Sequence, residues 1–142
     1  MDEPTSNILA LWGAGLSTIL AALKILETWK SRERIEVGYG FKGLPELGNE
    51  IIIRNLSAKP QILTYWELQW RERKLFQWKT SDRVSPDEHF QDIQIPPYST
   101  KSLTFQNQDY FGWGHRTLAG RTIYIKLQFA GRSRPILRKV YG

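Results

Sequence analysis

The chain has 142 residues, 41% hydrophobic and 13% aromatic, which argues against disorder and for a domain with a packed core. It has no cysteine, which excludes a disulfide scaffold, a cysteine-ligated zinc site and a cysteine nucleophile. The net charge of +6 is uneven: Asp2, Glu3 and Glu27 outnumber Lys24 up to Trp29, nineteen Lys and Arg face eleven Asp and Glu from Lys30 on, and no carboxylate side chain follows Asp109.

In chain order, Asp2, Glu3 and Pro4 suit a helix start, because carboxylates favour the positive end of the helix dipole and Pro is tolerated in the first turn. Ile8 to Leu26 follows, nineteen residues whose one charge is Lys24. As a helix this run is about 28 Å long, close to the hydrocarbon thickness of a bilayer. Ile8, Leu11, Trp12, Leu16, Ile19, Leu20, Leu23 and Leu26 form its apolar surface, and Trp29 falls at headgroup level. A signal peptide needs a basic lead and a small-residue cleavage site, neither of which is present. An amphipathic surface helix needs a polar face. A soluble core helix stays open, since Gly13, Gly15 and Ser17 lower the hydrophobicity.

The expectation is a transmembrane anchor with its basic linker over 1–33 and a β domain over 34–142. Acidic residues precede the span, and Lys30, Arg32 and Arg34 follow it. The positive-inside rule then places the N-terminus outside and the β domain in the cytoplasm, at the inner (cytoplasmic) membrane. Asn55-Leu56-Ser57 matches a glycosylation sequon, which needs the opposite topology. Gly13, Ser17 and Ala21 recur every fourth position, a stripe that lets two such helices approach and form a homo-oligomer.

From Ile35 the period changes to two. Ile35, Val37, Tyr39 and Phe41 alternate with Glu36, Gly38, Gly40 and Lys42, and Glu50 to Leu56 forms a second strand. In a third strand Ile62, Trp66, Leu68 and Trp70 share a face opposite Tyr65, Glu67, Gln69 and Arg71. A turn at Arg71 to Lys74 leads to a hairpin partner at Leu75 to Trp78, and Lys79 to His89 reads as loop. Short strands follow at Ile93–Ile95 and Ser102–Phe105. Asn107 to Gly120 is loop-like, Ile123 to Phe129 alternates cleanly, and Ile136 to Tyr141 closes the chain. Seven to eight short strands with no further helix predict a mainly β fold, an antiparallel sandwich behind the N-terminal helix. The expected core is Ile35, Val37, Ile51, Ile53, Trp66, Leu68, Ile93, Leu103, Ile123, Ile125 and Leu127.

The run Ile51-Ile52-Ile53-Arg54-Asn55-Leu56-Ser57-Ala58-Lys59-Pro60-Gln61-Ile62 resembles the "I-x-V-x-N-x-G-x-x-P-V-x-I" hairpin of many small bacterial membrane-anchored proteins with an immunoglobulin-like sandwich. Asn55 and Lys59-Pro60 stand where that family has its Asn and its basic-Pro turn, and Ser57 replaces the usual Gly. Ile95-Pro96-Pro97-Tyr98-Ser99-Thr100 is similar to its "L-P-x-x-L-x-P-G" segment without the Gly. The resemblance implies the immunoglobulin-like fold and the anchor, and it implies no catalytic residue.

Asp87, Glu88, His89 and Asp92 are the one acid–base cluster, in a loop where polar residues are expected anyway, and His115 is a lone loop histidine. No phosphate-binding, dinucleotide, nucleophile-elbow or zinc-protease motif is present. The expectation is therefore a non-enzymatic binding or scaffold protein with no cofactor and no metal. Its partners are membrane lipid and another protein, and nucleic acid is not expected. The alternative is a basic module that meets anionic headgroups or a single strand at the membrane surface. Trp66, Trp70 and Trp78 line a groove in that alternative, whereas their periodicity with Ile62 and Leu68 makes Trp66 and Trp70 core. Phe111 and Trp113, between glycines, either grip a partner or plug the end of the sandwich. Arg132, Arg134, Arg138 and Lys139 are the candidate basic contacts.

Overall fold

The computed structural model describes residues 3–30, 34–87 and 90–142. Asp2 and Arg32 of the flanking-charge argument, and Glu88 and His89 of the acidic loop, lie outside the described residues. The chain divides into two units, Met1–Arg32 and Glu33–Gly142.

The first unit is helix α1, Glu3–Lys30. Within it Asn7–Trp29, 23 residues of mean hydropathy 1.8, is long and apolar enough to cross a membrane, and none of that stretch is buried. Leu11 and Trp12 are each 72% exposed, and Ile8, Leu16, Ile19, Leu20, Leu23, Leu26 and Trp29 are exposed with them. The hydroxyls of the span have local partners: Ser17 Oγ donates to Gly13 O, Thr18 Oγ1 to Ala14 O and Thr28 Oγ1 to Lys24 O, each at 2.8 Å. Lys24 Nζ lies 3.1 Å from a Glu27 carboxylate oxygen. Such back-bonding is how hydroxyls are satisfied where no water is available.

The second unit holds eight antiparallel strands in two sheets: β1 (Ile35–Gly40), β2 (Asn49–Asn55), β3 (Gln61–Lys74), β4 (Gln77–Val84), β5 (Ile93–Ile95), β6 (Ser99–Phe105), β7 (Thr122–Phe129) and β8 (Ile136–Tyr141). One sheet has the order β1-β2-β6, the other β4-β3-β7-β8. Strand β5 pairs with the first residues of β3, so β5 and β4 share the edge of β3 that β7 does not take. The sheets share one core. Ile35, Ile51, Ile53, Leu103 and Phe105 come from the first, and Leu63, Trp66, Leu68, Trp70, Ile95, Ile123, Ile125, Leu127 and Phe129 from the second. Trp66 meets Phe105 edge-on across the layers, with ring centroids 5.2 Å apart. Val37 and Ile93, expected in the core, are partly buried against it.

Four expectations are corrected. Ile62 is 40% exposed and Leu63 fully buried, because the β3–β7 register skips Thr64. This bulge inverts the side-chain alternation upstream of Tyr65. Strand β3 runs on through Arg71–Lys74, where a turn was expected, and reverses at Leu75 and Phe76 instead. Lys79–Val84, expected as loop, is the polar edge half of β4, which needs no apolar face because it lies beside solvent. The 107–120 segment also contains a 3-10 turn, Asn107–Asp109, and a one-turn helix α2, His115–Leu118.

Candidate binding site

Strand β2 begins and ends on a fully buried asparagine, and these two residues fix the ends of the sandwich. Asn55 Nδ2 donates toward Lys59 O at 2.8 Å, Pro96 O at 3.0 Å and Ile95 O at 3.1 Å. Its Oδ1 accepts from Ser57 N at 3.0 Å and from Ser57 Oγ at 2.6 Å. The side chain thus closes the β2–β3 turn and docks the end of β5 onto it. Ser57 serves through its hydroxyl as well as its amide. At the other end Asn49 Oδ1 accepts from Lys42 N at 3.1 Å, and its Nδ2 donates to Phe111 O at 2.7 Å. One amide therefore holds both the β1–β2 loop and the 110–114 loop.

Those two loops assemble an aromatic cluster at the Asn49 end. Phe41 is its hub, with ring centroids 5.4 Å from Phe111, 5.7 Å from Trp113 and 5.5 Å from Tyr141. Tyr39 joins at 5.1 Å from Tyr141, edge to face. Edge-on packing, as in the Phe41–Phe111, Phe41–Tyr141 and Tyr39–Tyr141 pairs, sets the positive rim of one ring against the negative face of the next. Gly112 lets the loop lie flat on α2: a Cβ there would be 2.6 Å from Thr117 Cγ2.

Beside this cluster lies a cavity of about 540 Å³, lined by Tyr39, His115, Leu118, Arg121, Lys139, Tyr141 and the C-terminal Gly142 among others, with no Asp or Glu side chain among its lining residues. Arg121 is structural: Nε donates to Leu118 O and Nη2 to Thr117 O, each at 2.9 Å, while Nη1 reaches Ser81 Oγ at 3.1 Å and the Asp82 carboxylate. It ties α2 to β4 and forms one wall. Lys139 has no carboxylate partner among the described residues. The arrangement is a half-open, aromatic-walled pocket with positive charge at its rim. Its Tyr39 and Tyr141 rings can stack on a planar group, and the Lys139 ammonium can pair with an anionic one.

The expected site residues are not brought together. Phe111 is 8% exposed and packs edge-on against Trp70 and Phe105, so of its two expected roles, gripping a partner or plugging the end of the sandwich, it takes the second. Trp113 is half-buried against Phe41 and Tyr141. Arg132 lies half-buried over the Phe129 ring at 6.0 Å, and Arg134 is exposed in the same β7–β8 turn. Arg138 Nε donates to Ile35 O at 3.3 Å, which ties β8 to β1 across the open side of the sandwich. Of the four cations only Lys139 lines the cavity, because Arg132 and Arg134 lie in the β7–β8 turn at the opposite end of β7 and Arg138 is engaged with Ile35 O. Trp66 and Trp70 are buried, which removes the aromatic groove. Trp78 is 45% exposed, and the Arg71 guanidinium lies 5.7 Å from its ring and 5.4 Å from that of Tyr124. Among the described residues no group of three His, Cys, Asp or Glu is placed to hold a metal ion. Gly13, Ser17 and Ala21 lie exposed on α1, with the Ser17 hydroxyl turned back on its own helix.

Sequence reasoning missed Tyr39, His115 and Tyr141 as a group. The available signal was an aromatic at the outer end of both β1 and β8, strands that no chain-order reading places side by side. No protein-family model, no curated protein and no solved structure matches the chain.

Proposed function

We propose that this is a non-enzymatic, single-pass protein of the inner (cytoplasmic) membrane whose immunoglobulin-like β domain lies in the cytoplasm and binds another protein. One observation carries the reading. A fully exposed apolar helix of membrane-spanning length stands in the same chain as a compact β domain with a cation-edged aromatic cavity. Exposing so much apolar surface to water is strongly unfavourable, whereas in lipid it is neutral. The orientation rests on the basic residues that follow the span. The strand order supports the immunoglobulin-like reading: β8, β7, β3 and β4 run as do G, F, C and C′ of a variable-type sandwich, with buried Trp66 and Trp70 on the strand equivalent to C.

The partner presents an acidic or aromatic group to the cavity, where Lys139 and Tyr39 are exposed to meet it. The stripe Gly13, Ser17 and Ala21 provides a surface for helix pairing in the bilayer through shape rather than hydrogen bonding, since Ser17 already has its partner. The test is capture of partners by the full chain solubilised from membranes, in parallel with Lys139→Glu and Tyr39→Ser. A stoichiometric partner lost in both variants supports the reading. No stoichiometric partner, or one retained equally by both, overturns it.

A further inference from the structure

Leu75 and Phe76 are the most exposed large apolar residues of the β domain, at 88% and 99%. They are the two central residues of a tight hairpin whose last pairs are Arg73 with Trp78 and Lys74 with Gln77. Leu75 has φ +49°, a left-handed conformation that glycine or asparagine normally takes in such turns. Neither backbone preference nor core packing accounts for a leucine and a phenylalanine there. Pairing of β3 with β7 ends at Arg71, so the residues beyond it form a two-stranded ribbon projecting from the sheet. Arg73, Lys74 and Lys79 are exposed along this ribbon, and its one carboxylate, Glu72, lies 3.6 Å from Lys74. Behind the tip comes half-exposed Trp78, braced by Arg71 and Tyr124.

We propose that the β3–β4 hairpin is a membrane-dipping finger: Leu75 and Phe76 enter the acyl boundary of a bilayer while Arg73, Lys74 and Lys79 meet anionic headgroups. The order along the ribbon fits a lipid surface, with two apolar side chains farthest out and cations and a tryptophan one step back. Anionic lipid is the occupant that matches the charge, since each Lys or Arg near such a surface is attracted to it. Only four residues separate Lys30 from Ile35, a contour of at most about 18 Å, so a bilayer holding the helix is within reach of the β domain. The inference rests on the anchoring reading to that extent. It adds a second, reversible contact that sets the orientation of the domain on the membrane.

The absence of cysteine makes a direct test available. The full chain carrying Gln77→Cys, labelled with an environment-sensitive fluorophore, is reconstituted into vesicles of phosphatidylcholine with about 30 mol% phosphatidylserine, a strongly anionic surface. Nitroxide-bearing lipids then report depth. A second sample carries the label at Leu16→Cys within α1. The expected result is quenching of both labels. The Gln77 label, unlike the Leu16 label, returns to water in pure phosphatidylcholine, at high salt and in Lys74→Glu/Lys79→Glu. Leu75→Gly/Phe76→Ser installs a favoured turn, so it keeps the fold and abolishes the quenching at Gln77. A Gln77 label that stays in water on anionic vesicles while the Leu16 label is quenched overturns the finger and leaves the anchor standing. Both labels in water overturn the anchor and the finger with it. Quenching at Gln77 without quenching at Leu16 supports the finger alone. Shielding of Gln77 in native membranes but not in anionic vesicles overturns the lipid assignment and gives the tip to a protein.

Discussion

Replacing Asn55 by alanine tests whether one side chain holds an end of the sandwich. The substitution removes an amide shared among three carbonyls and an acceptor for Ser57 N–H, in a place where Asn55 and Ile95 are fully buried and Ser57 is 2% exposed. A net hydrogen bond contributes about 1 kcal/mol, and a buried group left without a partner costs about 1–3 kcal/mol. With the Ser57 amide and the Ile95 carbonyl both stranded, the loss is about 3–5 kcal/mol. For a domain near this size each kcal/mol lowers the melting temperature by about 4–8 °C, so a fall of roughly 12–40 °C is expected. The assay is thermal unfolding of the full chain in detergent, followed by near-ultraviolet circular dichroism, which reports the packed aromatics of the β domain. Asn49→Ala is the internal comparison: it breaks two bonds, to Lys42 N and Phe111 O, and costs about 2 kcal/mol. A shift below about 3 °C for Asn55→Ala, or one smaller than that of Asn49→Ala, refutes the reasoning.

Trp66→Ala empties a buried site between the sheets and is expected to cost about 3–5 kcal/mol, whereas Ile62→Ala, outside the bulge, costs less than about 1 kcal/mol; equal costs in denaturant unfolding contradict the register at Thr64. Gly48 has φ +73°, and a Cβ there would lie 2.4 Å from Gln106 Cγ and 2.7 Å from Phe105 O, so Gly48→Ala is expected to destabilise by about 2–3 kcal/mol, measured the same way. Leu75→Gly is expected to leave the melting temperature unchanged or to raise stability by up to about 1 kcal/mol, because it relieves a left-handed leucine and removes no packing; a clear loss gives Leu75 a structural role.

The elements that could be read from the chain are those in which local pattern and tertiary environment agree. Ile123, Ile125, Leu127 and Phe129 are all buried on one face of β7, as their alternation implies, because the strand pairs on both sides without leaving the sandwich. Strand β3 resisted reading for two reasons. Ile62 and Trp66 are four apart and look in phase, and only a bulge at Thr64 puts Leu63 in the core instead. Its hairpin turn carries Leu75 and Phe76, so no glycine, asparagine or proline marks it. The exposed alternation of polar residues in β4 left that strand without an apolar signature. The cavity was hidden more deeply. Its walls come from β1, α2 and β8, and the amide that positions the neighbouring loop, Asn49, lies 62 residues from the Phe111 carbonyl it holds. The burial of Phe111 follows from that bond, which its flanking glycines do not announce.

The proposed function requires that α1 cross a membrane and that the β domain lie on its cytoplasmic side. Single cysteines in this cysteine-free chain address both halves at once. Cells expressing the full chain with Ser6→Cys or Ser133→Cys are treated with a membrane-impermeant maleimide, before and after permeabilisation, and the membrane fraction is analysed. The account predicts that Ser6→Cys is labelled in intact cells and that Ser133→Cys, in the exposed β7–β8 turn, is labelled only after permeabilisation. Labelling of Ser133→Cys in intact cells contradicts the orientation, and recovery of the chain in the soluble fraction without detergent contradicts the span itself.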